Sequence, residues 1–76
     1  MPRYFFSCEG YDNFVDREGV VLADLGSAKA EAVSMMGEIL RSHPTEFTGR
    51  ASWRLMVQDE GAHTLFVLHF TAESFA

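Results

Sequence analysis

At 76 residues the chain has room for a single domain, 1–76, and its one cysteine, Cys8, leaves no disulfide to staple a core of marginal size. A net charge of −5, from eleven acidic and six basic residues, disfavours a nucleic-acid partner gripped through its phosphates, because Arg3, Arg17, Lys29, Arg41, Arg50 and Arg54 are scattered along the chain. The sequence contains no Gly-rich phosphate loop, G-x-S-x-G, H-E-x-x-H or C-x-x-C pattern, and no Cys/His pair at zinc-finger spacing, so it advertises no cofactor, metal or catalytic centre.

The first element runs from Pro2 to Glu9. Alternation puts Tyr4, Phe6 and Cys8 on one face and Arg3, Phe5, Ser7 and Glu9 on the other, which predicts a strand, with Pro2 where a strand tolerates proline. Residues 13–22 predict a second strand, broken or bulged near Gly19 after the turn signal Asp16-Arg17-Glu18-Gly19, with a tighter hairpin as the alternative. The opening ten residues hold too short an apolar run for a secretory core or a membrane span, which predicts a cytoplasmic protein with no membrane partner.

Asp24 is placed to cap a helix. Leu25, Ala28, Ala32, Met35, Met36 and Ile39 follow at steps of three and four, an apolar stripe that must be buried. Pro44 disfavours helical geometry at His43, so the helix should stop near Ser42-His43, leaving 44–50 as a loop. Ser52 to Gln58 alternates, with Trp53, Leu55 and Val57 on one face. Asp59 to His63 reads as a turn, and Thr64 to Phe70 as the second arm of a hairpin. The tail 71–76 has no pattern and is expected to fray.

The expected fold is therefore α+β: a four-stranded, mainly antiparallel sheet in the order β-β-α-β-β, with one helix packed on one face. A single helix covers one face only. The uncovered face would hold Phe5, Met56 and either Leu65 and Val67 or Phe66 and Leu68, since the last strand is apolar at consecutive positions. An apolar patch of that kind marks an interface. With 47% hydrophobic and 13% aromatic residues in so small a chain, the expected partner is a second copy or another protein.

Chemistry has weaker support. The acidic run Glu9, Asp12, Asp16, Glu18 and Asp24 lacks the spacing of a calcium loop and reads as a solvated turn region. His43, His63 and His69 would have to converge on Cys8 to activate it as a nucleophile, and an inert thiol buried in a strand is the simpler reading. Trp53, Tyr4, Met35 and Met36 sit at core positions.

The opening Met1-Pro2-Arg3-Tyr4-Phe5-Phe6, the Asp16…Gly19 turn, Asp24 with Ala28 and Ala32, and then Trp53, Val57, Asp59, Gly61 and Leu65 together resemble a family of small uncharacterised bacterial proteins of rhizobial type. The resemblance spans nearly the whole chain and implies a domain of unknown function, with no site residues to carry over. Asp24-Leu25 and the alanine-rich helix are also loosely similar to the HicB-type antitoxin domain, although the Gly-Asp-Thr segment before that helix is missing. Three roles are thus open: an interaction module homodimerising through the uncovered sheet face or through an edge strand, where pairing needs only main-chain donors and acceptors; a ligand-binding or enzymatic domain using a pocket between helix and sheet; and an antitoxin-like partner of a small toxin.

Overall fold

The computed structural model describes residues 1–10, 13–42 and 50–75, so Asp12 and His43 lie outside the described residues. Five elements follow in chain order: β1 (Arg3–Glu9), β2 (Val20–Val21), α1 (Leu25–Ser42), β3 (Arg50–Gln58) and β4 (Thr64–Glu73). The sheet order is β2-β1-β3-β4, and every neighbouring pair is antiparallel. The expected α+β class and element order hold.

Two expectations at element ends need correction. β3 begins at Arg50, a residue the sequence places in the preceding loop, and β4 continues through Thr71, Ala72 and Glu73, which the sequence places in a fraying tail. The two corrections have one cause: Arg50, Ala51 and Ser52 pair with Glu73, Ala72 and Thr71, so each arm of the hairpin extends the other. Backbone pairing needs no hydrophobic pattern, and a pattern search therefore misses it.

The broken second strand is observed. Phe14 forms an isolated bridge with Cys8, while Val20 and Val21 pair with Tyr4 and Arg3. Between them the chain loops away and returns at Gly19, whose φ is +74°. A Cβ there would come within 2.9 Å of the Tyr4 carbonyl oxygen and within 2.8 Å of the Arg3 side chain, so only glycine fits.

The helix starts where expected. Asp24 Oδ1 accepts a 2.8 Å hydrogen bond from the Ser27 N–H, satisfying one of the donors that a helix N-terminus leaves open. Ala28 and Ala32 are fully buried and Met36 nearly so, and the small side chains of the two alanines let the helix lie close on the sheet. Beneath them lie Tyr4, Phe6, Cys8, Trp53, Leu55 and Val57, all buried. Trp53 and Phe70 meet with ring centroids 6.2 Å apart, and Lys29 Nζ lies 5.5 Å from the centre of the Phe66 ring.

The register settles the faces of β4. Val57 stands opposite Phe66, Leu55 opposite Leu68 and Trp53 opposite Phe70, so these β4 residues face the helix. Met56 stands opposite Val67 and Arg54 opposite His69, on the open face. A bulge between Val57 and Gln58 interrupts the ladder near Leu65.

Candidate functional site

Of the two alternatives for the last strand, the structure selects Val67 for the open face. Phe5, Met56 and Val67 are each half-buried there, and Leu65 is 39% exposed beside the bulge. The rest of that face is polar. Glu9 and Arg54 stand opposite each other and form an exposed ion pair, with His69 next across the sheet. Gln58 Nε2 donates to Thr64 Oγ1 at 3.2 Å. Ser7, short and opposite the longer Met56, is buried. The open face is thus an apolar strip inside a polar frame.

The outer edge of β4 shows a different kind of incompleteness. Cys8 and Phe14 exchange both backbone hydrogen bonds, at 2.8 and 2.9 Å, so the N–H and C=O of Cys8 point away from β3. Backbone groups alternate sides along a strand, which makes Ser7–Met56 and Glu9–Arg54 hydrogen-bonded pairs. The same alternation carried through β3 directs Leu55 and Trp53 toward Leu68 and Phe70. The N–H and C=O groups of Val67, His69 and Thr71 therefore point outward from the sheet, where no described strand pairs with them.

The side chains along this edge tell a matching story. On β3, Trp53, Leu55 and Val57 are at most 1% exposed. Their direct neighbours Phe70, Leu68 and Phe66 face the same way but are only half-buried. The opposite edge of the sheet is blunt: β2 has two residues, and charged Arg17, Glu18 and Asp24 lie near it in the chain. β4 has ten residues and no Asp, Glu, Lys or Arg from Thr64 to Ala72. Edge strands in monomers usually carry charges, prolines or short lengths that discourage pairing.

The reactive groups disperse. Cys8 is buried under the helix while His69 projects from the opposite face, so register separates the pair that the sequence left open. His63 belongs to the β3–β4 turn, where its Nδ1 lies 3.1 Å from both carboxylate oxygens of Asp59. A cavity of about 430 Å³ opens between α1 and the outer edge of β1, lined by Cys8, Asn13, Phe14, Met35, Glu38 and Ile39. Among the described residues, Asn13 and Glu38 are the polar side chains that line it besides the thiol.

The acidic residues also separate into structural duties. Asp16 accepts backbone hydrogen bonds from Phe6 at 3.1 Å, Glu18 at 3.1 Å and Gly19 at 3.0 Å. Burial pushes its carboxyl up, but the three N–H donors outweigh that and hold it below its ordinary value. The Ser27 N–H similarly lowers Asp24, and the His63 N–H lowers Asp59. Among the described residues, no group of three or more His, Cys, Asp or Glu side chains is arranged to hold a metal ion.

The Asp-x-x-Gly spacing signals the turn at Asp16, but its bond to Phe6 ten residues earlier has no local signature. The exposed β4 edge was likewise invisible, because strand order is a property of the whole sheet. No described helix is long and apolar enough to cross a membrane.

The architecture is that of a small antiparallel sheet with a single covering helix. The model of a domain of unknown function, DUF6894, matches residues 3–71, and the chain belongs to this family. No curated protein and no solved structure matches the chain.

Proposed function

We propose that this protein is a non-enzymatic interaction module that homodimerises through the outer edge of β4. The observation that carries the reading is the coincidence, on one strand, of outward backbone groups at Val67, His69 and Thr71 with the half-buried Phe66, Leu68 and Phe70. Strand addition meets both needs at once: main-chain hydrogen bonds supply the pairing, and the added strand covers the apolar side chains. A second copy presents the same strand, free of Asp, Glu, Lys and Arg from Thr64 to Ala72, and a two-fold axis joins them without any further component. The open-face residues Phe5, Met56, Leu65 and Val67 would then form one surface continuing across the joined sheets. A cytoplasmic location fits the reading, since the one thiol of the sequence, Cys8, is buried beneath the helix.

Sedimentation equilibrium across micromolar concentrations tests this, with a dimer expected. Val67→Pro removes an outward N–H and leaves the β3 ladder intact, so it should yield a folded monomer by circular dichroism. A wild-type chain that stays monomeric at high micromolar concentration overturns the proposal.

A further inference from the structure

The regular ladder of β4 leaves a row of outward residues with two definite ends. Trp53 stands opposite Phe70 and Ala51 opposite Ala72 as hydrogen-bonded pairs, so Thr71 between them and Glu73 beyond them turn their N–H and C=O groups away from β3, as Val67 and His69 do. At one end, Val57 pairs with Phe66 and Gln58 with Thr64, which leaves Leu65 without a place in the ladder. At the other end, β4 stops at Glu73. Antiparallel strands related by a two-fold axis match residues whose numbers have a constant sum, and outward residues must meet outward residues. The four outward residues Val67, His69, Thr71 and Glu73 are symmetric about Phe70. We infer that the two-fold axis of the dimer passes at Phe70, an assignment that rests on the homodimer reading. Val67 of each copy then faces Glu73 of the other, and His69 faces Thr71.

Centred there, every outward residue of both copies bonds, giving about eight inter-strand hydrogen bonds, because each such pair exchanges two. An axis at His69 sets Glu73 against Leu65 in the bulge, and one at Thr71 sets Val67 against Phe75 beyond the strand end; each keeps about six. The helix-side residues follow. Phe70 meets Phe70 of the second copy, and Leu68 meets Ala72, so these half-buried side chains gain neighbours on the side away from β3. Phe70 already lies against Trp53, with ring centroids 6.2 Å apart, so the two copies together build an aromatic row Trp53–Phe70–Phe70–Trp53 across the joined sheet. That sheet runs β2-β1-β3-β4 and then back through the second copy in reverse order. Because the axis is perpendicular to the sheet, both helices lie on the same side. On the open face, each His69 stands between Arg54 of its own copy and Thr71 of the other.

Single cysteines placed on β4 in a Cys8→Ala background read the register under a mild disulfide oxidant. Directly opposed outward residues lie about 5.5 Å apart between Cα atoms, within disulfide reach, whereas diagonal neighbours lie about 7–8 Å apart and beyond it. His69→Cys mixed with Thr71→Cys should therefore give a covalent heterodimer, while each variant alone stays largely uncross-linked. Both positions are exposed, so their replacement leaves the core untouched. Self-linking of His69→Cys, or of Thr71→Cys, that outpaces the mixture would move the axis to that residue and overturn the register while leaving the dimer standing. A chain monomeric by sedimentation overturns the dimer itself. Isotope-filtered NMR on mixed labelled and unlabelled wild-type protein reads the same point without any variant. Contacts between Val67 and Glu73 of different copies are expected, and contacts between Val67 and Thr71 in their place would exclude the axis at Phe70.

Discussion

Asp16 shows how one side chain can repair a strand. The chain leaves the edge of β1 after Phe14 and rejoins it at Val20, so the Phe6 N–H between these points meets no backbone carbonyl from the returning segment. Asp16 Oδ2 supplies the missing acceptor, while Oδ1 holds the turn through Glu18 and Gly19. Removing the carboxylate strands a partly buried donor, so Asp16→Ala should cost about 1–2 kcal/mol in denaturant unfolding at pH 7. The pH dependence has a definite sign. The folded carboxyl titrates below the 3.8 of an unperturbed aspartate, so the unfolded chain binds more protons as pH falls toward and below that value. Asp16 therefore stabilises the fold above about pH 4, and this contribution disappears as acid protonates the folded form. Asp16→Ala should lose less stability between pH 5 and pH 2 than the wild type; equal losses would show that the carboxylate has no such role.

At the scale of elements, α1 is amphipathic by composition more than by length. Its buried contacts come from Ala28, Ala32 and Met36, with Leu25, Met35, Ile39 and Leu40 packed at the margins. Gly37 falls on its exposed side, and a Cβ built there meets nothing within 4 Å. Gly37→Ala should therefore raise stability by about 0.5–1 kcal/mol, through the lower backbone entropy of the unfolded chain, with a matching rise in Tm. A neutral or destabilising result would mean that the helix pays a hidden cost at this turn. Asp24, Leu25 and the 3.6-residue stripe made this helix legible from the sequence, since cap and period both act within a few residues. The far end of β4 was not legible. Thr71, Ala72 and Glu73 become a strand because Arg50, Ala51 and Ser52 lie opposite, about twenty residues away in the chain.

The whole molecule is organised around Trp53. It is 1% exposed at the centre of β3, the strand flanked by β1 and β4, beneath α1. Gly10 packs against it so closely that a Cβ would stand 2.6 Å from its ring, and Gly10 has a φ of +129°. Trp53→Ala should cost about 3–5 kcal/mol, comparable to the entire stability of many domains this small. Loss of the cooperative urea transition, followed by circular dichroism, is the expected outcome; a transition shifted by less than a third of its midpoint would place the centre of the core elsewhere. A core this dependent on one strand also explains why the neighbouring strand matters. β4 completes the cover over β3 on one side and presents its own half-buried Phe66, Leu68 and Phe70 on the other.

By itself, the sequence determined the element types, the helix cap and the alternating faces of β1 and β3, because caps, turns and side-chain periods are local. It also carried the family resemblance, borne out as membership of a family of unknown function. Tertiary structure alone decided three things: which parity of β4 faces the helix, that Cys8 and His69 stand on opposite faces, and that β4 is an outer strand. Each depends on register or strand order between segments distant in sequence. A strand apolar at consecutive positions satisfies either register equally well until its neighbour chooses. That choice left Val67 on the open face and a row of backbone groups facing outward, where the proposed second copy would bind.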